Sequence, residues 1–343
     1  TLDGLTEVGV VTATISTSDM ASLAASSGTH AYSITVTDSS VDAADLNKLA
    51  GKTSVDVNAS AVTTLTGGTD DVADFSTAYG GGSGISGLGN EAITITGSLT
   101  AAQANTLAAL TTGVVTAIVD LDTADDSVTT ADIALSAGSA DDRLSITVNG
   151  DVDAAFTATK LDALLSLDGK TSETIDASEV TSVSGTYAKL SALYAAGEAG
   201  TISGLGDEAV TVSSPILVVE ANTVASKTIG VVTASMSNTN LADYAALTET
   251  DNAYTITLND ASVDASALRA LDAKTTVAIT ATSMTSLSGS YADVLAVLNS
   301  AGVTTSSTAD AIALTITGSI SVAEANTLDG LTEVGVVTAT IST

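Results

Sequence analysis

The first seventeen residues, TLDGLTEVGVVTATIST from Thr1 to Thr17, occur again letter for letter from Thr327 to Thr343. A globular domain has no physical need to end on a copy of its own beginning. A chain taken from a longer tandem array does, if it spans one period and a short overlap. The period is then the interval from Thr1 to Thr327, 326 residues. Such chains fold as supersecondary units that bury their apolar faces only against their neighbours.

A shorter, imperfect period lies inside the long one. The opening segment returns as NTLAALTTGVVTAIV from Asn105 and as NTVASKTIGVVTASM from Asn222. Measured between Thr1, Thr106, Thr223 and Thr327, the steps are 105, 117 and 104 residues. Three other landmarks agree. YSITVTD at Tyr32 matches LSITVNGD at Leu144 and YTITLND at Tyr254. The stretch from Gly51 matches those from Gly169 and Ala273, and ISGLGNEAITITGS from Ile85 matches ISGLGDEAVTVSS from Ile202. Residues 1–326 therefore read as one period of three sub-repeats, 1–105, 106–222 and 223–326, with 327–343 opening the next.

Each sub-repeat divides into about four strand-then-helix units. In the middle copy Ile93-Thr94-Ile95-Thr96 alternates apolar and polar residues, as a half-buried strand does. Thr100 to Leu110 then has helical spacing, and Val114 to Val119 is the next strand. Thr130 to Ala137 follows as a short helix, Leu144 to Val148 as a third strand, and Glu173 to Ser178 begins the fourth unit. Tyr187, Leu190 and Tyr194 then share one helical face. Twelve units in the period average about 27 residues, inside the solenoid range. The expected fold is α/β: a right-handed solenoid of strand–helix coils with a continuous parallel β-sheet. The alternative is a string of tandem β-sandwich domains, one per sub-repeat, which the sub-repeat length also suits. The chain has no Trp and only 3% aromatic residues, a poor supply for sandwich cores.

Charge narrows the partners. With 9 Lys+Arg against 40 Asp+Glu, a formal charge of −31, the chain cannot neutralise phosphates, so nucleic acid is excluded as a natural partner. The field instead keeps long polymers soluble and apart. There is no cysteine, hence no disulfide framework or thiolate metal site. No apolar run approaches the ~20 residues of a membrane helix, so no membrane insertion is expected. A chain opening in mid-repeat is expected to have lost its true terminus and any signal peptide with it.

The ISGLGNEA motif, the stretch from Ile175 to Ala188 and the ANTL–LTTG–VVT segment resemble repeats of giant surface and filament proteins of cyanobacteria, marine ones in particular. The resemblance covers nearly the whole chain but carries no catalytic signature. It implies an extracellular, cell-surface location and a repeat-built structural or adhesive role.

The candidate chemical sites are few. Gly51-Lys52-Thr53 and Gly169-Lys170-Thr171 look like the end of a phosphate-binding loop, but Leu46 and Leu164 occupy the place of its first glycine. A helix C-terminus with a favourable cation is the simpler reading. His30 is the only histidine, so no multi-histidine metal site can be built, carboxylates are the main acid–base candidates, and no enzyme is expected. Ca²⁺ is the one cofactor to weigh, with Asp122, Asp125, Asp126, Asp141 and Asp142 as candidate oxygen ligands against a plain solvated acidic face. Outward threonines (Thr94 and Thr96, Thr315 and Thr317, Thr35 and Thr37, Thr12 and Thr14) would stack into ladders, an arrangement open to ice binding or simply to a good strand-forming surface. Asn105, Asn222 and Asn326 recur as backbone-satisfying amides, and Tyr187 and Tyr291 as core rings. The expected function is a structural, repeat-built segment of a secreted bacterial filament or surface fibre, whose partners are copies of itself. The alternative is a repetitive adhesin for a glycan, ice or a calcium-bridged partner.

Overall fold

Strands and short helices alternate along the whole described chain, and the sheets they form are open and purely parallel. A computed structural model describes residues 12–17, 31–121, 127–148, 154–305, 311–332 and 335–342, the first of these by backbone alone. The chain divides into two compact units. One comprises Thr1–Ala154, Asp162–Glu179 and Ala196–Gly204; the other comprises Ala155–Leu161, Val180–Ala195 and Leu205–Thr343.

The first unit holds a four-stranded sheet of Thr12–Thr17, Ala31–Val36, Val57–Asn58 and Ile85–Ser86. Beside it lies a five-stranded sheet of Ser40–Asp42, Thr64–Gly68, Ala92–Leu99, Val115–Val119 and Arg143–Ile146. Ile175–Asp176 and Ile202–Ser203 form a pair. The second unit repeats the scheme. Its five-stranded sheet is Ala155–Phe156, Ser182–Gly185, Ala209–Val212, Val232–Ser235 and Ala253–Thr255. Its four-stranded sheet is Ser262–Asp264, Ser286–Gly289, Ala313–Ile320 and Val337–Ile341, and its pair is Ile279–Thr280 with Val303–Thr304. Every strand pairing among the described residues is parallel. Immunoglobulin-type sandwiches are antiparallel, so that alternative falls away.

Alternation explains the strands. In Ala92–Leu99, Ile93 and Ile95 are buried while Thr94 and Thr96 are exposed. Register then stacks like on like: Val41, Leu65, Ile93 and Val115 lie one above another, none more than 5% exposed. Val263, Leu287 and Leu314 do the same in the second unit. Each repeat thus hands its aliphatic row to the next, as units that cannot close a core alone must. One irregularity recurs: the register shifts between Thr94 and Ser98 and again between Thr315 and Ser319, at aligned positions.

The helices are short, most of them seven or eight residues, below the length that holds in isolation. Burial of one face supplies what propensity does not: Ala43, Leu46, Leu49 and Ala50 are buried in Ala43–Ala50. Their starts are written in the sequence. Thr100 accepts from the Gln103 amide while Gln103 answers the Thr100 N–H, and Ser321 with Glu324 repeats the arrangement. Asp42, Asp264 and Ser290 cap Ala43–Ala50, Ala265–Asp272 and Tyr291–Leu298. Ser127 accepts from the Thr130 amide, so the helix expected from Thr130 runs instead over Val128–Ala134. No helix of the described residues is long and apolar enough to cross a membrane.

Candidate functional site

Polar side chains at the junctions between successive units repeat as regularly as the aliphatic rows. Thr171 donates its hydroxyl to the Leu144 carbonyl at 2.8 Å and accepts from the Leu144 and Glu173 amides. Thr275 treats Tyr254 and Val277 in the same way, and Thr53 donates to the Tyr32 carbonyl at 2.6 Å. These hydroxyls complete the ladder where the strand itself does not reach. The preceding lysines follow helix ends, after Ala50, Asp168 and Asp272. Lys170 grips the Asp132 carboxylate and carbonyl at 2.6 Å, and Lys274 donates to the Thr248 carbonyl. The Gly-Lys-Thr runs are therefore corner fittings between units.

Asp142 has the same kind of role. It is only 4% exposed; Oδ1 accepts from the Val115 amide at 2.8 Å and Oδ2 from the Ser139 amide at 3.0 Å. Asn252, its aligned counterpart, accepts from the Val232 amide at 2.8 Å. A neutral amide does the same work, so the position needs an acceptor and not a charge. Asp141 is exposed, and the Asp142 oxygens already accept from backbone amides. Among the described residues no group of three or more acidic, histidine or cysteine side chains is placed to hold a metal ion. Asp122, Asp125 and Asp126 lie outside the described residues.

Two buried carboxylates escaped the sequence reading. Glu208, fully buried, accepts from the Tyr194 hydroxyl and from the Gly206 and Asp207 amides at 2.7 and 3.1 Å. Glu91, 3% exposed, accepts from the Tyr79 hydroxyl at 3.1 Å and the Gly89 amide at 2.7 Å. The carbonyls of both glutamates accept from Thr111 and Thr228. In the third sub-repeat the aligned residues are Leu298 and Ile312, so the tyrosine and the glutamate disappear together. That joint loss is the signal by which sequence comparison of the sub-repeats finds the pair.

Burial, first, raises the phenols of Tyr79, Tyr194 and Tyr244 well above their ordinary range, with the neighbouring Glu208 adding to the rise at Tyr194; Tyr254 is pushed up to about 12. A raised folded-state value contributes stability that is complete below the phenol's unfolded pKa of about 10 and is lost as pH climbs through the folded value. The expected result is a plateau of stability up to about pH 10 and a steep fall above it. Tyrosinate absorbance should appear for these four residues together with unfolding. Free ionisation of all seven tyrosines near pH 10 in the folded chain would contradict this placement.

The remaining candidates resolve simply. Asn105 accepts from the Ala137 amide at 2.7 Å, and Asn222 bridges the Thr248 amide and the Ala246 carbonyl, as backbone-satisfying amides do. Tyr187 and Tyr291 are half-buried rather than core rings. Thr66, Thr94 and Thr116 do form a ladder, but it runs into Asp42 on one side and Arg143 on the other. The ladder is thus three rungs long, between residues of opposite charge. In the second unit a cleft of about 540 Å³ is lined by residues that include Gly206, Lys227, Ile229, Glu249 and Asp251. It pairs one cation with two carboxylates and supplies no histidine or cysteine.

Buried side-chain atoms without a hydrogen-bond partner include Asp38 Oδ2, Asn47 Oδ1, Asp168 Oδ1 and the Tyr254 hydroxyl. The strand Val337–Ile341 ends its sheet, and among the described residues only Ala313–Ile320 pairs with it. Thr12–Thr17 likewise ends its sheet, paired with Ala31–Val36. Comparison of the chain with protein-family models, with curated proteins and with solved structures returned no match.

Proposed function

We propose that this chain is a structural, repeat-built segment of a secreted bacterial filament or cell-surface fibre, without catalysis, in which the units continue as one right-handed solenoid with a continuous parallel sheet. One observation carries the reading. The same three-strand register, Thr94 to Thr116 to Arg143, recurs in the other unit as Thr211 to Thr233 to Ala253, at aligned positions of successive sub-repeats. An arrangement in which every copy offers its neighbour the register it accepts from the last has no built-in end. The sequence resemblance to cyanobacterial surface repeats and the strongly acidic composition support an extracellular setting.

The reading has a length attached. Neighbouring strands lie ~4.8 Å apart, so twelve units rise ~58 Å per 326-residue period. Electron microscopy of chains carrying one, two and three periods should show each added period lengthening the particle by that amount. Additions of ~100 Å or more would refute the solenoid.

A further inference from the structure

We infer that Asn58 is a glycosylation site: its side-chain amide nitrogen accepts an oligosaccharide, once in every 326-residue period, at an exposed corner of the first unit. The inference rests on the filament reading, which places the chain outside the cell and on the route where such acceptors meet a transferase.

Of the chain's asparagines only Asn58 opens an Asn-X-Ser/Thr run, Asn58-Ala59-Ser60, the acceptor sequence for an N-linked sugar. Asn58 and Ser60 are exposed, and Ala59, buried between them, anchors the run. Asp56, two residues earlier, is exposed as well, a carboxylate within reach of an enzyme that grips this segment. The chain leaves the strand Val57–Asn58 here and turns, the Val62 amide donating to the Ala59 carbonyl at 2.9 Å. Asn58 Oδ1 accepts from the Ser60 amide at 3.1 Å, so the two ends of the run are held together. In register Asn58 stands between Thr35 and Ser86, two short hydroxyl side chains that leave room beside it for a sugar ring.

The aligned corners show that the fold itself does not ask for this amide. In the second sub-repeat Asp176 stands between Thr147 and Ser203, and its Oδ1 accepts from the Ser178 amide at 3.0 Å. In the third, Thr280 stands between Thr257 and Thr304. A carboxylate makes the same turn and a threonine fills the same row, so the backbone needs at most one acceptor oxygen here. Asn58 Nδ2, with two protons to give, makes no hydrogen bond among the described residues. The part of the side chain that the structure leaves unused is the atom to which sugar is joined. Transfer forms a bond from Nδ2 to the anomeric carbon of a lipid-diphosphate-linked oligosaccharide. The bond from that carbon to the diphosphate oxygen breaks, the lipid diphosphate leaves with the electron pair, and one amide proton passes to a base of the transferase. On a chain of formal charge −31, a glycan adds bulk and hydration to each period without adding charge.

The test presents the folded chain to a purified bacterial oligosaccharyltransferase and a lipid-diphosphate-linked oligosaccharide, and reads intact mass and the peptide that carries Asn58. The parent should gain one glycan, at Asn58. Asn58→Asp copies the corner at Asp176, and Ser60→Ala keeps the backbone amide that Asn58 Oδ1 uses. Both variants should melt like the parent and gain no glycan. A parent chain left unmodified, or one still modified after Ser60→Ala, overturns the site and leaves the filament reading standing. A chain harvested from the cell surface whose Asn58 peptide carries no sugar overturns it equally. Recovery of the chain only from inside the cell would instead remove the filament reading, while the purified reaction would still report on the corner itself.

Discussion

Gly204→Ala is expected to destabilise the first unit by about 2–5 kcal/mol. Two costs coincide at this residue. Its φ of +79° lies in the left-handed region, worth roughly 1–2 kcal/mol to an L side chain. A Cβ there would also meet the Ser178 backbone at 2.4 Å, far inside contact, and backbone cannot swing aside as a side-chain tip can. Gly200 separates the two terms: it has the same φ of +79° but nothing within 4 Å of its Cβ position. Gly200→Ala should cost about 1–2 kcal/mol, so the difference in urea midpoint between the variants measures the steric part. Equal midpoints would show that the approach of Gly204 to Ser178 is wrong.

The second large effect concerns Glu208. Glu208→Ile removes the acceptor for the Tyr194 hydroxyl and for two amides, and is expected to cost about 2–4 kcal/mol. Tyr194→Leu alone leaves a buried carboxylate short of a partner and should also destabilise. The third sub-repeat uses Leu298 and Ile312 at these positions, so the double variant is a natural combination in this fold. Its loss should be at least about 1 kcal/mol smaller than the sum of the single losses, since neither the phenol nor the carboxylate is left without the other. Strict additivity would mean that the two side chains do not act as a pair.

These two cases also mark how far the sequence could be read. The aliphatic alternation of Ile93 and Ile95 and the capping pattern of Thr100 with Gln103 are local, and each announces its element. The repeat spacing announces that the elements stack, because an aligned residue must find an aligned environment. Residues whose partner lies one unit away were opaque for the opposite reason. Asp142 reads as half of an acidic pair until Val115, 27 residues earlier, supplies the amide that occupies it. Thr171 reads as part of a phosphate loop until Leu144 shows it completing a ladder. Nothing local tells a carboxylate that caps a strand in the next unit from one that faces solvent. Only the comparison of Asp142 with Asn252, or of Tyr194 and Glu208 with Leu298 and Ile312, reveals which property the position requires. The register shift at Thr94 and Ser98 was hidden as well, because it depends on how many residues the partner strand offers.

Diffraction from an oriented specimen of a multi-period chain tests the central claim most directly. If the units continue as one solenoid, their strands lie across the fibre axis. The pattern should then carry a strong meridional reflection at ~4.8 Å and an axial repeat of ~58 Å, twelve strand spacings. Separate domains laid end to end would instead give a repeat of ~100 Å or more with no strand spacing along the axis, and that pattern would contradict the account.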